Sequence, residues 1–248
     1  MSTSPHSLPH PTNLSKITPE TMVGHIVAAR PLLAGVFERV GIDFCCGGKI
    51  SLAAACAKRG LDVNTFISVL EAVPSAITSA TDAAAMSLTA LADHIESTHH
   101  SFTREELPVL VEQSQRVAMK HSGRDARLTE VAQTVHQMAR EMFEHMSKEE
   151  EVLFPLVRAL DQKGELPSRR GSISDPISEM EAEHQETGVA LERLRVLTDN
   201  FTPDGDSCNT HRAMLAGLAR FEEDLHLHVH KENNILFPRA LARLPASV

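Results

Sequence analysis

An eleven-residue phrase occurs twice. His145-Met-Ser-Lys-Glu149-Glu-Glu-Val-Leu-Phe-Pro155 returns 83 residues later as His228-Val-His-Lys-Glu232-Asn-Asn-Ile-Leu-Phe-Pro238. In each copy a His and a Glu stand four apart, so on a helix they lie one above the other on one face. Both pairs interrupt an apolar stripe. The first stripe runs Leu128, Val131, Val135, Met138, Met142, His145, Glu149, Val152, and the second Met214, Leu218, Phe221, Leu225, His228, Glu232, Ile235. Such stripes are the core-facing seams of bundle helices. A lone His on a seam reads as a satisfied core residue. Two His-x-x-x-Glu pairs in matching contexts are costly to bury without a cation, and they read as metal ligands.

The rest of the 248-residue chain follows from this duplication. Four long amphipathic segments are predicted over residues 87–121, 125–160, 175–199 and 210–236, joined by short loops near 164–171 and 203–209. The fold class is therefore all-α: an antiparallel up-down-up-down four-helix bundle made of two related hairpins. Ahead of it, residues 1–14 read as a disordered tail and 75–86 as a Ser/Thr/Ala linker. Residues 15–74 read as a small helical domain. Its first helix is expected to start at Thr18-Pro19, with others near 31–41, 51–59 and 62–73. The bundle domain then spans 87–248.

If the second and fourth long helices each give a His and a Glu, the first and third should answer at the same depth. His184 lies on the third seam, 44 residues before His228. The equivalent place on the first helix is His100, 45 residues before His145, although the seam itself runs as well through His99. The donor set His100, His145, Glu149, His184, His228 and Glu232 suits Fe or Mn, with Zn or Co as alternatives. His121 and His211 sit about 31 Å and 25 Å along their helices from the centre and are excluded. His226 and His230 read as solvated, as do Glu150 and Glu151.

Four cysteines, with Cys45 and Cys46 adjacent, make no disulfide framework, and no apolar run forms a signal peptide or membrane span. A reducing cytoplasm is the expected setting. The net charge of −9 argues against nucleic acid or an anionic membrane as partner. Two adjacent thiols before Gly47-Gly48 could be reactive or metal-binding; the bland alternative is two packed small side chains. Cys56 reads as core and Cys208 as an incidental loop residue.

With these residues in view, the chain resembles the repair-of-iron-centres di-iron proteins, a branch of the hemerythrin-like superfamily with an ScdA-type dicysteine domain. The resemblance covers residues 17–243 and rests on Asp43-Phe-Cys-Cys-Gly-Gly48, the two His-x-x-x-Glu phrases, Met180-Glu-x-Glu-His184 and Glu232-Asn-Asn234. It implies two non-haem iron ions, oxo- or hydroxo-bridged and carboxylate-bridged, and it places the first-helix ligand at His100. It further implies repair of iron–sulfur clusters damaged by nitric oxide or peroxide, with Cys45 and Cys46 as redox or iron-transfer thiols. The competing readings are nitric oxide reduction at the same centre, an O2 or nitric oxide binder or sensor, and a metal-free interaction bundle. Expected partners are damaged iron–sulfur proteins or a cluster-assembly scaffold, nitric oxide or O2 as small ligands, and a second copy of the chain.

Overall fold

The structure, a computed structural model, describes residues 14, 16–74, 83–164, 166 and 172–244. The expected tail, most of the expected linker and most of the midpoint loop lie outside them. Among the described residues the secondary structure is helical, apart from an isolated bridge between Met22 and Ser51.

The chain divides into two compact units. The first is residues 1–86 together with His230–Ile235, and the second is Ser87–Val229 with Leu236–Val248. In the first unit α1 is Val23–Ala29, α2 Ala34–Arg39, α3 Leu52–Arg59 and α4 Val63–Ala72. The expected start at Thr18-Pro19 is not a helix start: the Thr18 hydroxyl pairs with that of Thr21 in a turn, and α1 begins at Val23. Helices α3 and α4 are capped by side chains. Ser51 accepts from Ala54 N and Asp62 from Thr65 N, satisfying amides that a helix start leaves orphaned. Phe37 and Phe66 meet edge to face in the core of this unit, 5.5 Å apart.

The second unit holds the long helices. The first is α5 (Leu88–Ile95) running on into α6 (Ser101–His121), and the second is α7 (Arg127–Lys148) running on into α8 (Phe154–Lys163). The third is α9 (Ser174–Leu197), and the fourth is α10 (Asn209–Lys231) continuing into α11 (Phe237–Leu241). Helix α6 packs on α7, α7 on α9, α5 on α8, and α11 on α8. Pro108 lies inside α6 without ending it.

Three of the four long helices contain one five-residue π turn each, at Glu96–His100, Glu149–Leu153 and Glu232–Leu236. A π turn inserts an extra residue and rotates everything after it. After Glu149 the buried positions become Leu153 and Phe154, and Val152, expected on the seam, turns outward with 43% of its surface exposed. On the first long helix the buried series runs Ile95, then His99 and His100, then Thr103, Leu107 and Leu110. Two of the turns have a cause in sequence. Pro155 and Pro238 stand two residues after them, and a proline can neither donate to nor sit comfortably against the carbonyl four residues back. The turn at Glu96–His100 has no proline, and we have no sequence account of it.

Candidate metal centre

Seam positions on all four long helices bring buried donors together. His100, Glu149, His228 and Glu232 bring one ligand atom each to within 4.8 Å of one another, and so do His145, Glu149, His184 and Glu232. Both carboxylates belong to both groups. None of the six is more than 3% exposed.

The nitrogens converge. His100 Nε2 is 3.2 Å from His228 Nε2, and His145 Nε2 is 3.1 Å from His184 Nε2. An ion about 2.1 Å from each of two imidazole nitrogens at a right angle separates them by about 3.0 Å. Glu149 Oε2 stands between the pairs, 3.3 Å from His100 Nε2 and 3.4 Å from His145 Nε2. Four imidazoles and two carboxylates packed this closely away from water fit a cation chemically, because a cation offsets the two buried carboxylates and takes the imidazole lone pairs.

Outside this ring, carboxylates orient the imidazoles. His100 Nδ1 is 2.7 Å from Glu150 Oε1, and Arg104 grips the same carboxylate with bonds of 2.8 and 2.7 Å. His145 Nδ1 is 2.7 Å from Glu183 Oε2, while Lys148 pairs with Glu183 and with Glu179. A carboxylate on Nδ1 fixes the ring and its tautomer, leaving Nε2 to face inward. Burial works against ionisation of Glu150, but Arg104 and then His100 outweigh it and hold its carboxyl below the usual range. The bond from His145, with help from Lys148, draws Glu183 down to about 2. Glu150 is thus no solvated residue, as its acidic neighbourhood suggested, but an arm of the site.

The recurring Phe of the duplicated phrase has a task in each copy. Phe154 stacks on His100, with ring centroids 5.7 Å apart, and Phe237 stacks on His184 at 6.2 Å. The Phe of each phrase therefore walls the histidine contributed by the other helix of its hairpin. His99 takes a different place from His100. Its Nδ1 lies 2.9 Å from Asp224 Oδ1 and its ring stacks parallel on His228, 5.4 Å away.

The remaining candidates separate from this ring. His121, the last residue of α6, has Nε2 3.3 Å from Cys208 Sγ. Cys56 is core, and burial pushes its thiol up. His230, expected in solvent, is 4% exposed. Its Nδ1 lies 3.3 Å from Phe44 O within the first unit, and burial draws the imidazole down to about 4. Cys45 is buried and Cys46 half-buried, with Sγ atoms 3.9 Å apart. Neither the π turns nor the Glu150 arm shows directly in the residue pattern. The proline that closes each phrase was the available signal for the turn within it.

Comparison with known proteins agrees with this layout. The hemerythrin HHE cation-binding domain model matches residues 91–240, and the ScdA_N model, described as a domain of unknown function (DUF542), matches residues 19–74. The chain is 36% identical over 222 residues to the iron-sulfur cluster repair protein YtfE of Musicola paradisiaca, covering 90% of this chain and 96% of that one. It is 37% identical over 219 residues to the proteins of the same name from Edwardsiella ictaluri and Yersinia pseudotuberculosis, covering 88% of this chain and 96% of each. The chain belongs to the iron-sulfur cluster repair protein family, in which an ScdA-type N-terminal domain precedes a hemerythrin-like cation-binding domain.

Proposed function

We propose that this protein repairs iron–sulfur clusters damaged by nitrosative or oxidative stress, by supplying iron from a labile non-haem di-iron centre in the bundle. The observation that carries this reading is that the two buried His/Glu groups share both carboxylates. His100 and His228 would hold one iron, His145 and His184 the other, and Glu149 and Glu232 would bridge them. The relatives named for iron-sulfur cluster repair support the choice of function. When loaded, the centre supplies iron for transfer and a site for small ligands such as nitric oxide or O2.

The chain's own residues account for holding and for release. Each iron would keep only two imidazoles and a half-share in two carboxylates, which leaves it short of six ligands. Glu150 and Glu183 fix the ring orientations, so the donors are pre-arranged and little reorganisation accompanies loading. Both of these carboxylates are anchored by cations that are partly exposed, Arg104 and Lys148. A client or chelator approaching there meets the outer arms of the site first. We assign Cys45 and Cys46 to redox or iron-transfer work, place the protein in the cytoplasm, and take damaged iron–sulfur proteins or an assembly scaffold as its partners.

The test is transfer. Protein loaded with 57Fe is mixed with an iron–sulfur protein whose cluster nitric oxide has disrupted, and the label is then sought in the rebuilt cluster. Label in the client, with recovery of the client's own activity, is expected. Recovery without label, or N2O production with no recovery, would shift the assignment to nitric oxide reduction, the second reading.

A further inference from the structure

We infer that Asp43, Cys45 and Cys46 form a second, single-ion metal site, built to take a borderline divalent cation such as Fe2+ or Zn2+ through one carboxylate oxygen and two thiolates. This deepens the reading of the dicysteine as chemistry rather than packing. The test below reads ion binding and not repair, so the site and the repair function can fail separately.

One ligand atom from each of the three residues lies within 4.8 Å of the others. Cys45 Sγ is 3.2 Å from Asp43 Oδ1 and 3.9 Å from Cys46 Sγ. A tetrahedral ion with metal–sulfur bonds of about 2.3 Å and metal–oxygen bonds of about 2.1 Å needs edges of about 3.8 Å between sulfurs and about 3.6 Å between sulfur and oxygen. The two edges at Cys45 already stand within about 0.4 Å of that shape. A disulfide would need the sulfurs at about 2.05 Å, and neighbouring residues, with Cα atoms about 3.8 Å apart, fall short of the span disulfides usually bridge. Chelation therefore asks less movement of this loop than oxidation does.

The loop is held in that shape from behind. Asp43 receives the amides of Cys45 at 2.9 Å and Gly47 at 2.8 Å, one on each carboxylate oxygen, which fixes the direction of the carboxylate. Asn234 Nδ2 donates to Phe44 O at 3.2 Å and Cys45 O at 2.9 Å, so the backbone between the donors is pinned within the same unit. Gly24 and Gly48 make room for this amide. A Cβ on Gly24 would lie 2.0 Å from Asn234 Oδ1, and one on Gly48 2.5 Å from it. Two close approaches around one side chain mark a built support for the loop.

Charge and access complete the case. Two thiolates and a carboxylate would offset the charge of a divalent ion, and each thiol would give up its proton on binding. Asp43 is exposed and Cys46 half-buried, so an ion can enter and leave from solvent. Three donors leave a fourth position for water or an incoming ligand, which suits an ion in transit. Two sulfurs with one oxygen favour Fe2+, Co2+ or Zn2+ over Mg2+ or Ca2+.

The experiment is anaerobic titration of Co2+ into the full-length, iron-loaded protein. We expect one Co2+ per chain with sulfur-to-cobalt charge-transfer absorption in the near ultraviolet, and proton release alongside it. Cys45→Ser and Cys46→Ser should each abolish the absorption, while Cys208→Ser and Cys56→Ser keep it. Asp43→Asn retains both thiols. It should weaken binding by more than the roughly 10–100-fold typical of losing an outer-shell partner, a loss we expect of Asn234→Ala. The Glu149→Leu/Glu232→Leu variant should keep the cobalt signal, which separates this site from the bundle centre. Absence of the signal in the wild type, or its survival in the Cys45→Ser/Cys46→Ser double variant, would overturn the inference. If the cysteine variants lose their helical circular dichroism, an undiminished affinity in Asp43→Asn would do the same.

Discussion

The two copies of the duplicated phrase share a backbone and differ in what surrounds them. Glu149–Leu153 and Glu232–Leu236 are both π turns, each following a seam histidine and each leading into a Phe that walls a second histidine. After the shared Glu the copies diverge: Glu150-Glu151 in the first, Asn233-Asn234 in the second. Glu150 reaches sideways to His100 and Arg104, and Glu151 is exposed. Asn233 and Asn234 are buried, and Asn234 donates to two carbonyls of the dicysteine loop. A neutral amide suits that buried place, where it can give hydrogen bonds to carbonyls; a carboxylate could only accept and would carry an uncompensated charge. The chemistry of the phrase is duplicated, and its flanks are fitted to different neighbours.

The strongest test of that shared chemistry removes it from both copies. In Glu149→Leu/Glu232→Leu we expect iron content to fall to near background, whereas each His variant loses less. The same variant should melt at or above the temperature of the metal-free wild type, because replacing buried charge with apolar volume in a sound seam is commonly neutral or stabilising. The loaded wild type should melt highest, since metal favours the native state by mass action. Elemental analysis and thermal melts of the three samples measure both. A double variant that still held two irons would show that these residues are not the bridges.

Next in size is the contrast between the neighbours His99 and His100. His100→Ala should lower iron content as His145→Ala and His228→Ala do. His99→Ala should leave most of the iron and change the spectrum of the centre, since its ring stacks on His228 and its Nδ1 meets Asp224. The reverse outcome would move the first-helix ligand by one residue. The seam alone could not decide between them, because a π turn ending at His100 buries both. Helical periodicity is read at 3.6 residues per turn, and an inserted residue is invisible to it. The matched 45- and 44-residue spacings carried the information instead.

Exchanging the flanks sharpens the comparison further. Asn234→Glu should destabilise the first unit by about 1–3 kcal/mol or more, by leaving two carbonyls without their donor and burying a charge. Urea unfolding measures this. Glu150→Asn should leave the fold intact and reduce iron affinity by roughly 10–100-fold. At the small end, Glu151→Asn should change stability by no more than about 0.5 kcal/mol, as an exposed side chain does. Equal effects at positions 150 and 151 would remove Glu150 from the site.

The four bundle helices were legible because their seams repeat over many turns, and a long periodic signal survives local irregularity. What stayed hidden belongs to neighbours that one helix cannot reveal. His230 lies off the seam of its own helix and reads as solvated until Phe44, 186 residues away, covers it. Glu150 looks like part of an acidic surface run until Arg104 and His100 converge on it from another helix. Thr18-Pro19 has the composition of a helix start, yet the Thr18–Thr21 pairing closes a turn there instead.

We propose that two phrases and two partner histidines build one shared centre. The most direct measurement is the Mössbauer spectrum of the full-length protein reconstituted with 57Fe, read together with iron per chain. About two irons per chain in a spin-coupled pair are expected, each in a mixed nitrogen and oxygen environment. A single uncoupled iron, or two sites that load and titrate independently, would contradict bridging by Glu149 and Glu232.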